Sequence, residues 1–179
     1  MMIEGKLVNL RPPETSDLER NQRWVNDREV THFLAFRYQM SLAAEEAWLR
    51  DVATKPTSYE HVFFAVETKD GVHIGNTNLF EIRPEDRKAT LGIMIGEKAY
   101  WSKGYGSDAV RTLVAFAFEE MNLNRVELAV FDFNERAIAA YRKCGFVEEG
   151  RRRQALYKGG QYHDVLVMGV LREEFRGGN

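Results

Sequence analysis

The stretch TLGIMIGEKAYWSKGYGSDAVRTLVAFAFEEMNLNRVELAVFDFNERAIAAYRKCGF, Thr90 to Phe146, decides how the chain reads. It opens on a strand in which Ile93, Met94 and Ile95 are consecutive and apolar, as suits a strand covered on both faces. A short loop turns through Gly104 and Gly106. Ser107 and Asp108 then start a long helix. Its residues Ala109, Val110, Leu113, Val114, Ala117, Phe118 and Met121 recur at three and four, giving one wide apolar face. Arg125 to Phe131 is a second strand. Asn134 caps a shorter helix with Ala137, Ile138 and Tyr141 facing inward, and Gly145 is a left-handed stop.

Working outward, Lys6 to Leu10 is a first strand stopped by Pro12 and Pro13. Thr15 or Ser16 caps a helix with Leu18, Trp24 and Val25 on its apolar side, Asp27 a second, and Ser41 a third. His61 to Glu67 and Val72 to Ile82 form a hairpin about Asp70-Gly71, where glycine accepts positive φ. Ala89 to Ile95 is the next strand. Downstream, Phe146 to Glu149 and Gln154 to Lys158 are extended, Gly159-Gly160 turns the chain, and Val165 to Leu171 is a last apolar strand. The order predicts one mixed α+β domain over 1–179, built on a single central sheet. It divides into a first strand with helices (1–58), an antiparallel meander (59–96), the loop–helix–strand–helix unit (97–146) and closing strands (147–171).

Composition narrows the class. A chain of 179 residues favours one domain with a sizeable core. A net charge of -2 argues against a nucleic-acid partner, and Arg151-Arg152-Arg153 reads as a solvated strand end. The lone Cys144 excludes an internal disulfide and suits a structural thiol. His32, His61, His73 and His163 lack metal-ligand spacing, so no metal is expected. No apolar run reaches the ~20 residues of a membrane span. The N-terminus lacks a basic leader followed by a long apolar stretch, which makes the cytoplasm the expected compartment. An exposed final strand would offer an edge for a homodimer.

The loop Lys103-Gly104-Tyr105-Gly106-Ser107-Asp108 allows two readings. Two glycines at a helix start leave free N–H groups at the positive end of the helix dipole, a ready anion site. They also simply make a tight turn. The pattern is neither a Walker loop nor the three-glycine dinucleotide fingerprint.

The second half adds Asn134, Ala137, Tyr141, Gly145 and Phe146 in the order Asn-x-x-Ala-x-x-x-Tyr-x-x-x-Gly-Phe. Together with Trp101-Ser102-Lys103-Gly104-Tyr105-Gly106, this arrangement resembles the GNAT superfamily of acyl-CoA-dependent N-acetyltransferases. The branch it looks like contains the ribosomal-protein N-terminal and the spermidine acetyltransferases. The resemblance is tightest over Thr90 to Phe146. It implies a central mixed, mostly antiparallel sheet flanked by helices and splayed where acetyl-CoA, the co-substrate, binds. By resemblance the backbone of Met94, Ile95 and Gly96 pairs with the pantetheine arm. Trp101, Ser102, Lys103, Gly104, Tyr105, Gly106 and Ser107 form the pyrophosphate loop. Asn134 contacts the arm from the other side, and Tyr141 stands near the sulfur.

The implied chemistry is transfer of acetyl to a primary amine, a small molecule or a protein N-terminus, by direct attack. An amine with a pKa near ~10 is only about one part in a thousand neutral at pH 7 and must lose a proton. The oxyanion formed on attack needs a donor, for which a splayed-strand N–H is suited. Tyr141 can protonate the leaving thiolate; a core aromatic with an incidental hydroxyl is the plainer reading of its helical position. Where many relatives carry a basic Glu, this chain has Thr90 or Leu91, so the base is open; Glu81 is the candidate, beside a water chain. Asn78 can orient the acceptor, and Trp24, Phe33, Phe36, Arg37, Tyr38 and Tyr162 are candidates for its wall, where aromatics clasp an alkylammonium by cation–π contact. Core packing explains the same aromatics. The missing strand Glu also leaves a non-catalytic acyl-CoA-binding module or sensor as the alternative.

Overall fold

The computed structural model describes residues 2–176. One sheet of eight strands carries the fold: β1 (Ile3–Glu4), β2 (Val8–Arg11), β3 (Val62–Thr68), β4 (His73–Arg83), β5 (Lys88–Ile95), β6 (Arg125–Phe131), β7 (Val147–Lys158) and β8 (Gln161–Leu171). Among the described residues, five α-helices flank it: α1 (Leu18–Asn26), α2 (Arg28–Thr31), α3 (Leu42–Thr54), α4 (Tyr105–Glu119) and α5 (Glu135–Lys143). The spatial strand order is β1-β2-β3-β4-β5-β6-β8-β7. Every neighbouring pair is antiparallel except β5–β6, so the sheet is mixed and mostly antiparallel, as expected.

The β5–β6 pair positions the site. The two strands run parallel for three residue pairs, Lys88↔Arg125, Ala89↔Val126 and Thr90↔Glu127, and then part. Beyond that point β5 stays with β4 as far as Ile95, and β6 stays with β8 as far as Phe131. A wedge opens between them.

The apolar face of α4 covers one side of the sheet. Ala109, Leu113, Val114 and Ala117 are fully buried against Val8, Leu10, Phe64, Val66 and Leu91. Burying one such leucine contributes about 2 kcal/mol. The carboxylate of Asp108 fastens the start of this helix to the chain's first turn, accepting from the N–H groups of Lys6 (3.3 Å), Leu7 (2.7 Å) and Val8 (3.0 Å). Successive residues of β3 show the two faces of the sheet. Phe64 packs on Phe116 of α4, and Phe63 packs on Trp48 of α3. On the α1 and α3 side a buried polar chain links Arg11 to Asp17 (2.7 Å), Asp17 to His73 (3.1 Å), His73 to Asn76 (3.0 Å) and Asn76 to Asn21 (2.9 Å).

Several boundaries differ from the sequence reading. The first helix is entered through a 3-10 turn at Thr15–Asp17, with Asp17 accepting from the Glu14 N–H at 2.8 Å, in place of a Thr15 or Ser16 cap. The long helix starts at Tyr105, two residues before Ser107, because Gly104 at φ 91° serves as its left-handed N-cap. The two extended pieces before Gly159 are one strand, β7, largely exposed and interrupted by register shifts. The final strand is not an edge: β8 lies between β6 and β7, so the edge on that side is β7 and the expected dimer edge is misplaced. Cys144 is a buried free thiol. Among the described residues, no helix is long and apolar enough to cross a membrane, and no group of three or more acidic, His or Cys side chains could hold a metal ion.

Candidate active site

Backbone alternation decides which groups face the wedge. The Gly96 N–H donates to the Ile74 carbonyl at 2.9 Å, and the Gly92 carbonyl accepts from the Thr77 hydroxyl at 2.8 Å. The Met94 carbonyl lies against β4, where a Cβ on Gly75 would come within 2.1 Å of it. Gly92, Met94 and Gly96 therefore bond toward β4. Leu91, Ile93 and Ile95 turn their backbone groups toward the departed β6. Of the expected trio, Ile95 alone turns its backbone groups toward the wedge, as does Ile93, which was not among the three, while Met94 lines the cavity without doing so. Gly96 is closed off further by Trp24, since a Cβ there would sit 2.1 Å from the indole.

A cavity of about 410 Å³ fills the wedge. Its floor is the β5 edge, with Leu91 to Ile95. The loop side brings Trp101, Ser102, Gly104, Gly106 and Ser107 to the wall. The first backbone hydrogen bond of α4 is Asp108 N–H to Gly104 carbonyl at 2.9 Å, and no side chain caps the helix among the described residues. The N–H groups of Tyr105, Gly106 and Ser107 are thus left for an anion at the positive helix end. The side chains of Lys103 and Tyr105 do not line the cavity; the Tyr105 ring stacks edge-on against Tyr100, with centroids 5.0 Å apart. The Trp101 indole donates to the Ile95 carbonyl at 2.7 Å, tying the loop to the free strand edge.

The opposite wall comes from β6 and α5. Asn134 is buried and accepts from the Ala137 N–H at 3.2 Å, so the expected cap and the expected wall residue are one side chain. Tyr141 lies two turns further along α5 and lines the cavity. Its hydroxyl makes no hydrogen bond among the described residues, and burial pushes its pKa up to about 12. Arg136 was not anticipated. It lines the same wall in the first turn of α5, with its guanidinium 4.1 Å from the Trp101 ring centroid and 5.3 Å from that of Phe33. It forms no ion pair among the described residues, and burial holds its pKa below the usual arginine value. The signal for it was its place two residues after the Asn134 cap.

Val30, Phe33, Leu34 and Ala35 close the cavity from above. This segment is held by Lys158, whose ammonium donates to the carbonyls of Thr31 (2.6 Å), Leu34 (2.6 Å) and Phe36 (3.4 Å). The other expected wall residues lie elsewhere. Trp24 is 1% exposed, pressed onto Gly96 and edge-on to His73, so it is a core residue of α1. Phe36 and Tyr38 are exposed and outside the cavity lining, as is Tyr162, which stacks on Tyr157.

Asn78 and Glu81 border a second cavity of about 640 Å³, lined by Tyr59, Glu60, His61, Phe63, Phe80 and Pro84 among others. Phe80 lines both cavities, and Thr90 lines the first. The Asn78 side chain rests on Gly92, where a Cβ would be 2.4 Å from its Oδ1. Glu81 sits in a β-bulge: Phe80 pairs with Thr90 and Arg83 with Lys88, leaving Glu81 and Ile82 opposite Ala89. At φ 49° it takes the left-handed conformation, and its carboxylate accepts the Thr90 hydroxyl at 3.1 Å. The Glu81 carboxylate, on the neighbouring strand, thus lies beside position 90.

Comparison with known proteins agrees with this architecture. A family model described as an acetyltransferase (GNAT) domain matches residues 8–147. The spermidine N(1)-acetyltransferase of Escherichia coli (strain K12) is 30% identical over 174 residues, 97% of this chain and 91% of that protein. The Bacillus subtilis (strain 168) protein YdaF is 37% identical over 108 residues, which span 60% of this chain and 58% of that protein. Among solved structures, spermidine N-acetyltransferase from Vibrio cholerae in complex with CoA and spermine superposes with a TM-score of 0.84 at 26% identity, covering 94% of this chain and 97% of that one.

Proposed function

The chain belongs to the GNAT acetyltransferases and is an acetyl-CoA-dependent N-acetyltransferase, and on that premise we propose that it acetylates a small primary amine by direct attack in a ternary complex. The observation that carries the proposal is the unpartnered Tyr141 hydroxyl, which faces the same cavity as the free edge of β5.

The residues present suit acetyl-CoA. A pyrophosphate matches the free N–H groups at the start of α4 and the charge of Arg136. The amide-bearing pantetheine arm matches a strand edge that turns the N–H and carbonyl of Ile93 and the N–H of Ile95 toward the wedge, the Ile95 carbonyl being held by Trp101, and Asn134 borders it from the far side. The bound thioester supplies an activated acetyl carbonyl and a thiolate leaving group. A β5 edge N–H stabilises the oxyanion, because it points into the wedge before reaction begins. Tyr141 donates its proton to the thiolate; a tyrosine hydroxyl is protonated at neutral pH, as an acid must be before transfer.

On the acceptor side Glu81 takes the amine proton. Glu60 and Glu81 form no ion pair among the described residues, and Tyr59, Phe63 and Phe80 line the same cavity, a setting suited to an alkylammonium. Polyamines, named in relatives from Escherichia coli and Vibrio cholerae, are the first acceptors to try. A protein N-terminus is the competing class.

The test is release of free CoA thiol across a panel of polyamines, simple alkylamines and short peptides. Turnover confined to peptides would replace the small-amine reading. Tyr141→Phe should lower kcat by more than tenfold and leave CoA affinity within about twofold. Unchanged kcat would remove the acid role.

A further inference from the structure

We infer that Thr90 is a positioning residue, whose hydroxyl and the bulge at Glu81 together aim the base at the junction of the two cavities. The inference rests on the acetyl-transfer reading and goes beyond it by saying how the base is held.

Three observations converge. First, the bulge places Glu81 on a face it would not otherwise reach. In a regular strand it would follow Phe80 onto the opposite side, with Ala89; the extra residue and the left-handed turn bring it back beside Thr90. Second, a non-glycine residue in that conformation is disfavoured, and such strain persists only where surrounding contacts over-determine it. The bond from the Thr90 hydroxyl at 3.1 Å is the one side-chain hydrogen bond to Glu81 among the described residues. Third, Thr90 marks the end of the β5–β6 pairing, where the wedge begins. Its side chain lines the first cavity, while Glu81 borders the second and Phe80 borders both. A carboxylate fixed at that point meets an amine arriving through the second cavity just before it reaches an acyl group in the first.

Thr90 itself accepts no proton in this scheme. It limits the rotation of an exposed glutamate, and a freely turning carboxylate would spend most of its time in unproductive rotamers.

The experiment is a four-variant kinetic series on the full chain, following CoA thiol release with a reactive amine and measuring CoA affinity in parallel. Glu81→Gln should lower kcat by roughly 100-fold. Thr90→Val removes the hydroxyl at constant shape and should lower kcat on the order of tenfold, the effect of one lost orienting bond. Thr90→Ser, which restores the hydroxyl, should recover most of that loss. A carboxylate placed directly at the junction by Thr90→Glu should recover activity in the Glu81→Gln background. CoA affinity should stay within about twofold throughout. Thr90→Val and Thr90→Ser of equal activity would overturn the positioning role while leaving the base intact. Full activity of Glu81→Gln would overturn both. Absence of thiol release by the unmodified protein with every amine tried would overturn the acetyl-transfer reading itself.

Discussion

Replacing Gly96 by alanine should damage the protein through Trp24, with no direct effect on the ligand. A Cβ at Gly96 would lie 2.1, 2.2 and 2.7 Å from three atoms of the indole. Carbon atoms in contact sit about 3.5–4.0 Å apart, so the ring would have to retreat by more than about 1 Å. It has nowhere to go. Trp24 is 1% exposed, and His73 meets it edge-on with centroids 4.9 Å apart. Overpacking of this kind costs about 1–3 kcal/mol, and a ring this confined belongs in the upper half of that range. For a domain of this size, 2–3 kcal/mol lowers Tm by roughly 4–12 °C. Thermal unfolding of Gly96→Ala, Trp24→Leu and the double variant reads the coupling. In the Trp24→Leu background the alanine should cost less than about 0.5 kcal/mol, because the clashing ring is gone. CoA affinity measured well below Tm should be nearly unchanged. An unaltered Tm with a large loss of CoA affinity would refute the packing argument and restore the glycine to the binding strand. An undiminished penalty in the double variant would refute the role of Trp24.

Three further outcomes follow from side chains already described. Asp108→Ala removes the acceptor for three N–H groups of the first turn and should cost about 2–3 kcal/mol in urea unfolding, since bonds to a charged acceptor are strong; a cost below about 0.5 kcal/mol would mean water replaces it. Glu45 is buried without a hydrogen-bond partner among the described residues, and burial raises its pKa, so its contribution to stability is full below the unfolded value near ~4.3 and is lost as pH rises through the folded value. Glu45→Gln should therefore raise Tm by about 2–4 °C at pH 8 and much less at pH 4, and equal shifts at both would contradict it. Lys158→Met strips the donor from three carbonyls of the segment over the first cavity, and should raise the acetyl-CoA KM several-fold with kcat less affected; an unchanged KM would show that the segment holds without it.

The sequence carried the punctuation of the fold well. Ser41 and Asn134 cap their helices, and Gly71 and Gly145 sit at φ 81° and 92°, because these residue types are selected by local backbone geometry. Register was out of reach. Whether Met94 or Ile93 faces the wedge depends on which residues of β4 lie alongside, and strand alternation alone does not supply the phase. Spatial order was hidden too: the last strand enters between β6 and β7, so a chain-final segment became an interior one. Trp24 shows a third limit. An apolar helix face announces burial but not its partner, and the partner here is a glycine with no side chain to signal the contact. Glu81 was legible only as a loose candidate, since a left-handed glutamate in a bulge has no compositional mark.

The three residue pairs that join β5 to β6 have a mechanical meaning. Two leaves of sheet, β1–β5 on one side and β6, β8 and β7 on the other, meet along a spine about 10 Å long, at ~3.3 Å per residue. A load that pries the leaves apart falls on that spine and on the packing of α4 beneath it. The short seam thus lies at the head of the wedge. A chain-like guest lying in the wedge and bonding to both leaves would act as a strut between them. Occupancy and rigidity would then be one variable.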